Sequence, residues 1–228
     1  MGEFSFVLLS GGIGKRMQVN IPKQFLLLGG KPILVHVLEK IDSIKEIKEI
    51  IIPSPRDFIE KTEEIIRNYG FSTPIYCIEG GETRQESVYA ALKAAQFDQV
   101  VVHEAVRPFV TKEEFMELIH SNNENAIYGL DIPFTVLEGK DFIENNLVRD
   151  ELINIQLPQK FNRNKLLYAH ECAREERMEF TEDASLYFHY FKAEIRVLKG
   201  SDYNIKITKP VDRKIAEILY KEYILMEG

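Results

Sequence analysis

The chain has 228 residues, 45% of them hydrophobic, and a formal net charge of -7. That length suffices for one domain with a well-buried core and is short for two of ordinary size. The acidic balance argues against a surface built for nucleic acid or anionic lipid, so any phosphate binding must come from a local cationic pocket.

Phe4 to Leu9 run straight into glycines, with no basic flank and too few apolar residues to span a bilayer or act as a signal. A cytoplasmic protein with no membrane partner is therefore expected. Apolar, β-rich runs follow at Phe6–Leu9, Glu49–Pro53, Pro74–Ile78 and Gln99–His103. They alternate with helix-like stretches at Pro32–Ile41, Arg56–Tyr69 and Ser87–Gln96, the pattern of repeated β-α-β units. Short strands of unbroken apolar character require a mainly parallel sheet covered on both faces, with ligands at the edge formed by the strand C-termini.

Between about Ala126 and Asn154 the pattern breaks into short strands with turn signals at Gly139 and Asn145-Asn146, which reads as an inserted β-arm. Helical periodicity returns at Asn164–Glu179, and a last helix is expected over Pro210–Met226, opened by its proline. Cys77 and Cys172 match no metal or redox spacing and are read as reduced thiols without a role.

The first segment with chemistry in it is Ser10-Gly11-Gly12-Ile13-Gly14-Lys15-Arg16, directly after the first strand, followed by Pro22-Lys23-Gln24. Glycines let backbone N–H groups approach phosphate oxygens, and Lys15, Arg16 and Lys23 would offset the charge of a polyphosphate. The spacing is neither that of a P-loop nor that of a dinucleotide fold. A plain glycine turn with solvated basic residues is the competing reading, which Lys23 behind its proline weakens.

His103-Glu104-Ala105-Val106-Arg107-Pro108 closes a buried strand, where Glu104 would hold Mg2+ and Arg107 a phosphate; a simple Glu–Arg pair is the alternative, and His103 is read as structural. Gly80-Gly81-Glu82-Thr83-Arg84-Gln85-Glu86-Ser87 opens a helix whose N-terminus, with Arg84 and Ser87, would meet a base or phosphate, although a capping turn explains it about as well. Thr181–Ser185 is a further polar run. In Asn204-Ile-Lys-Ile-Thr208, strand alternation would put Asn204, Lys206 and Thr208 on one face, so Lys206 could join a polar site or simply be exposed.

In order along nearly the whole chain, these segments resemble the cytidylyltransferases that act on methylerythritol phosphate or ribitol phosphate. Gly11 to Met17, Pro22 to Gln24, Gly80 to Arg84 and Asn204 to Thr208 carry the likeness. The resemblance implies a doubly wound, Rossmann-like nucleotidyltransferase domain of α/β class spanning residues 1–228, GT-A-like, with a β-arm at about 126–154 through which two subunits form a homodimer. It implies CTP at Ser10, Gly11, Gly12, Gly14, Lys15 and Gly80, with Arg84 and Ser87 at the cytosine end, and Mg2+ on the triphosphate. Arg16, Lys23 and Lys206 would stabilise the transition state, and Glu104, Arg107 and Arg149 would face a phosphorylated acceptor.

The chain departs from that pattern at Glu104, where an aspartate is usual, at Val136-Leu137, where an Asp-Thr pair is usual, and at Leu157 within Gln156-Leu157-Pro158-Gln159, where a threonine is usual. Lost polar contacts suggest a changed acceptor. The leading expectation is a cytidylyltransferase for another polyol or sugar phosphate, supplying surface polysaccharide synthesis. Methylerythritol phosphate in isoprenoid synthesis is the alternative, and a catalytically weak nucleotide-binding or scaffolding homologue is the alternative of another class.

Overall fold

The computed structural model describes residues 2–11 and 22–224. Strand β1 (Phe4–Leu9) is buried at every position, so it lies inside a sheet covered on both faces. A small hairpin, β2 (Leu27–Leu28) and β3 (Lys31–Pro32), leads into helix α1 (Ile33–Asp42). Two β-α steps follow: β4 (Ile47–Ser54) with α2 (Ile59–Tyr69), and β5 (Ile75–Glu79) with α3 (Arg84–Ala94). After β6 (Gln99–Glu104) and α4 (Lys112–His120) come β7 (Ala126–Asp131) and the hairpin β8 (Leu137–Gly139) and β9 (Ile143–Asn146). The chain continues through β10 (Ile153–Asn162), α5 (Arg163–Glu176), α6 (Asp183–Phe191), β11 (Arg196–Lys199) and α7 (Pro210–Leu219).

Seven strands form one sheet in the order β11-β7-β10-β6-β1-β4-β5. Only β10 runs against its neighbours; the other pairings in this sheet are parallel. The sheet is thus mainly parallel, and α/β as the sequence pattern requires. In register, Leu9 lies beside Glu104 and Ser54 beside Glu79, which brings the C-terminal ends of β1, β4, β5 and β6 to one edge.

The pleat of β1 divides the core. Phe6 and Leu8 pack with Leu34, Leu38 and Phe115 on one face, while Val7 and Leu9 pack with Val88, Leu92, Phe161 and Tyr187 on the other. A third cluster joins Leu26, Leu28 and Ile33 to Phe109, Ile207 and Ala216, and so anchors α7 beside the β2-β3 hairpin.

Four departures from the sequence reading have physical causes. The segment 126–154 is not one arm: β7 and β10 belong to the main sheet, and only the β8-β9 hairpin stands off it, with Phe134, Phe142 and Ile143 at 76%, 84% and 73% exposure. The helix expected to Glu179 stops at Glu176, because Arg177 turns into the left-handed region at φ 56. Helix α6, rich in aromatics, and the short edge strand β11 were not anticipated from the sequence pattern. Residues 204–208 form no strand: Asn204 and Ile207 are buried while Lys206 faces out, so the expected alternation fails. Among the described residues no helix is long and apolar enough to cross a membrane.

Candidate active site

At the C-terminal edge of the sheet, Ser10, Gly11, Lys23, Arg84, Ser87, Glu104 and Lys206 line one cavity of about 230 Å³. They come from five separated segments. Gly80 and Arg107 do not line the cavity, although Gly81 and Val106 beside them do. Gly12, Gly14, Lys15 and Arg16 lie outside the described residues. Arg149 is not brought to this cavity by its own chain; it lies half exposed near the base of the hairpin, 3.3 Å from Asp150.

The Pro22-Lys23-Gln24 segment turns as a single 3-10 helix, Lys23–Phe25, with Lys23 only 7% exposed. Gln24 ties it to the glycine loop, since its Nε2 donates to the Ser10 carbonyl at 2.7 Å. The position of Lys23 is therefore coupled to the end of β1. Gln24 carries no apparent signal of this role beyond its place in the motif.

Helix α3 starts with a complete capping box: Thr83 Oγ1 accepts from the Glu86 N–H, and the Glu86 carboxylate accepts from the Thr83 N–H. Glycine is required just before it, because a Cβ at Gly81 would sit 2.2 Å from the Glu86 Cβ. Ser87 Oγ donates back to the Thr83 carbonyl at 2.9 Å, so what it offers the cavity is lone pairs. The capping reading and the site reading of this segment are thus compatible: the box aims Arg84 and Ser87 at the cavity.

Glu104 lies at the centre of a charge cluster. Lys206 Nζ donates to Oε1 at 2.7 Å, Arg107 Nε donates to Oε2 at 3.2 Å, and Arg84 Nε lies 3.8 Å from Oε1. Burial alone would raise its carboxyl, but Lys206, Arg107 and Arg84 outweigh burial and hold it below the usual carboxylate range. Both oxygens are committed to cations, and the described residues contain no group of three or more His, Cys, Asp or Glu side chains able to hold a metal. Glu104 as a ligand of Mg2+ does not fit this arrangement.

His103 is fully buried, with Nε2 against the Arg107 carbonyl at 3.1 Å and its ring edge-on to Phe115. Burial pushes it down to about 3, which leaves it a neutral structural histidine. Arg107 also donates from Nη1 to the Asn204 carbonyl at 2.9 Å, fixing the segment that carries Lys206.

The Gln156-Leu157-Pro158-Gln159 stretch braces the site from behind. Gln156 exchanges hydrogen bonds with Ser201, the Leu157 carbonyl accepts from Asn204 Nδ2 at 2.6 Å, and Gln159 Nε2 donates to Glu182 at 3.1 Å. The Leu157 side chain itself is 1% exposed and packs in the core with Phe161 and Leu166. It does not line the cavity, so its lack of a hydroxyl bears on packing.

Two residues assigned no role from the sequence are tied to the cavity wall. Asp183, first in α6, accepts from Arg84 Nη2 at 2.7 Å and from His170 Nε2 at 3.1 Å, with Asp183 and His170 side chains each 1% exposed. The sequence marks Thr181–Ser185 only as a polar run, and His170 sits among apolar helix positions without a signal.

A glycine turn, buried and half-buried cations and backbone N–H groups converging at the ligand edge of a mainly parallel sheet are the parts of a nucleotidyltransferase, which holds a triphosphate while a second phosphate attacks it. The comparisons sharpen that class. The family model described as 2-C-methyl-D-erythritol 4-phosphate cytidylyltransferase matches residues 4–222. A relative of that name from Halalkalibacterium halodurans is 36% identical over 96% of this chain and 98% of its own length. One from Clostridium botulinum is 34% identical over 95% and 97%.

Among solved structures, the 4-diphosphocytidyl-2C-methyl-D-erythritol synthase of Anaerococcus prevotii matches with a TM-score of 0.84 at 27% identity, covering 96% of this chain and 99% of its own. The cytidylyltransferase of Thermus thermophilus matches with a TM-score of 0.74 at 26% identity, covering 97% and 100%. The chain belongs to the 2-C-methyl-D-erythritol 4-phosphate cytidylyltransferase family, and it is a CTP-dependent nucleotidyltransferase.

Proposed function

We propose that the chain transfers CMP from CTP to 2-C-methyl-D-erythritol 4-phosphate, a step of isoprenoid synthesis, and releases pyrophosphate. The observation that carries this reading is the similarity to a relative of that name at 36% identity over 96% of this chain and 98% of the relative. The surface-polysaccharide reading drew on Leu157 and on Val136-Leu137. Leu157 is a core residue, which removes that part of the ground for another acceptor; Val136-Leu137 lie at the hairpin and not at the cavity of their own chain, so they bear on the acceptor only through a partner subunit.

In the reaction an oxygen of the acceptor phosphate forms a bond to the α-phosphorus of CTP, the α-β anhydride bond breaks, and its electron pair leaves with pyrophosphate. No covalent intermediate with the protein is needed, so catalysis is alignment and charge neutralisation. Lys23 and Lys206, approaching from opposite ends of the chain, are read as the cations at the reacting phosphates, joined by Arg16 and Lys15 of the glycine loop. Ser10, Gly11, Gly12, Gly14 and Gly80 would supply close backbone approach, and Arg84 and Ser87 the cytosine side. Arg107 and Glu104 would meet the acceptor.

Mg2+ is assigned to the triphosphate oxygens rather than to a protein cage, consistent with its habit of binding through substrate phosphates. Arg149 and the hairpin are assigned to a homodimer in which each arm reaches the partner's cavity. The deciding experiment is pyrophosphate release from CTP with a panel of acceptors: methylerythritol, ribitol and glycerol phosphates and several sugar phosphates. Turnover confined to methylerythritol phosphate is expected; turnover only with ribitol or a sugar phosphate would restore the other reading.

A further inference from the structure

Asp183 is buried between two donors from different helices: Arg84 on α3 and His170 on α5. His170 Nδ1 has no hydrogen-bond partner and is buried. His170 therefore meets Asp183 through Nε2 alone. Burial alone would raise the Asp183 carboxyl, but Arg84 and His170 outweigh burial and keep the carboxylate charged beside Arg84. The neighbouring Gln85 locks the same two parts together, its Nε2 donating to the Met178 carbonyl at 3.2 Å and its Oε1 accepting from the Phe180 N–H at 2.7 Å. The first turn of α3 is therefore clamped to the stretch that joins α5 to α6.

The clamp also sorts charges. Arg84 Nη2 is 2.7 Å from Asp183 and 3.4 Å from Glu182, while its Nε stays 3.8 Å from Glu104. Glu104 is thereby left to Lys206 and Arg107. Without the Asp183 charge, the half-buried guanidinium would be left to Glu182 at 3.4 Å and Glu104 at 3.8 Å, and Glu104 would no longer be reserved for Lys206 and Arg107.

We propose that Asp183, oriented by His170, is a positioning residue that holds Arg84 at the nucleotide side of the cavity and keeps it off Glu104. This rests on the reading of the cavity as the CTP site. It predicts that Asp183 acts on CTP binding through Arg84 and not through the fold at large.

The test is a double-mutant cycle read by calorimetric CTP affinity, with thermal unfolding of each variant as a check on folding. Asp183→Asn is expected to weaken CTP binding about 10-fold or more, and Arg84→Ala similarly. The double variant should bind no more weakly than Arg84→Ala alone, because the route through Arg84 is already cut. His170→Phe, which removes the donor at similar volume, should give a smaller loss that likewise vanishes in the Arg84→Ala background, and it carries the test where Asp183→Asn does not fold. Multiplicative losses, or CTP affinity unchanged in folded Asp183→Asn and His170→Phe, overturn the positioning role while leaving the CTP site standing. Failure of the unaltered protein to bind CTP overturns both.

Discussion

Lys206 Nζ and Glu104 Oε1, 102 positions apart in sequence, meet at 2.7 Å across the mouth of the cavity. Glu104 is 7% exposed in its side chain and Lys206 40%, so the carboxylate is fixed and the lysine is the mobile partner. A phosphate entering the cavity competes with Glu104 for Lys206, and Arg107 remains behind to hold the carboxylate. Glu104→Gln keeps the shape but leaves three cations facing a neutral amide. It should lower kcat/KM about 10-fold or more and cost roughly 2–4 kcal/mol of stability, discounted from a fully buried pair because Lys206 is wet. Pyrophosphate release and urea unfolding read the two effects separately. Glu104→Asp should do less harm to both, and a variant as inactive as Glu104→Gln would show that reach matters more than charge.

Lys23 is nearly buried at the cavity wall, on a turn held to Ser10 by Gln24. Lys23→Met retains the bulk and removes the charge. Turnover should fall by about 100-fold or more, the scale of losing one preorganised electrostatic group at a reacting phosphate, while the unfolding midpoint shifts little. Near-normal turnover would remove Lys23 from the chemistry.

Leu157 provides a test of what the departure from the family pattern means. Leu157→Thr restores the family's usual residue but places a hydroxyl and a void among Phe161, Leu166 and Val102. The expected result is a loss of about 2–4 kcal/mol with the choice of acceptor unchanged. A gain in turnover with methylerythritol phosphate would place this side chain at the acceptor after all.

The sequence was most legible where local chemistry and periodicity coincide. The four strands that build the ligand edge, the glycine turn before α3 and the convergence of Lys23, Arg84, Glu104 and Lys206 follow from periodicity and from motifs at strand ends. What escaped depends on distant partners. β7 and β10 read as an arm because their sheet neighbours are far along the chain. Leu157 read as a lost polar contact because a single residue does not reveal which face it occupies. The Asn204–Thr208 alternation was taken for a strand, whereas hydrogen bonds from Asn204 to Leu157 and from Arg107 to the Asn204 carbonyl hold that stretch as irregular chain. The His170–Asp183–Arg84 contact joins three helices and has no local signature.

The β8-β9 hairpin and the residues flanking it expose Phe134, Phe142, Ile143 and Val148, a density of apolar side chains that a monomer seldom leaves in water. If it is the dimer contact, Phe142→Asp with Ile143→Asp should shift the protein from dimer to monomer in sedimentation velocity. Turnover should fall with it, since Arg149 at the hairpin's base does not reach the active-site cavity of its own chain. A double variant that stays dimeric, or a wild-type protein that is monomeric, would contradict the assignment.

His103 sets the last expectation, on pH. Burial holds it at about 3 in the folded protein against 6.5 for the free side chain. Below pH 6.5 the unfolded chain binds a proton that the folded protein refuses, so stability is full above that pH and falls as the pH drops through the window, by about 1.4 kcal/mol per pH unit once well inside it. Glu104 and Asp183, both held below the usual carboxylate range, add to the acid loss only nearer pH 4 and below. His36, also lowered by burial, adds to the same acid loss with or without His103 and cancels in a comparison. Urea unfolding of the wild type and of His103→Gln between pH 7 and 5 should therefore show the variant less stable at pH 7 and the difference narrowing by about 2 kcal/mol on the way down. Parallel curves would mean that His103 is protonated in the fold, and that its ring is less sealed by Phe6 and Phe115 than the packing indicates.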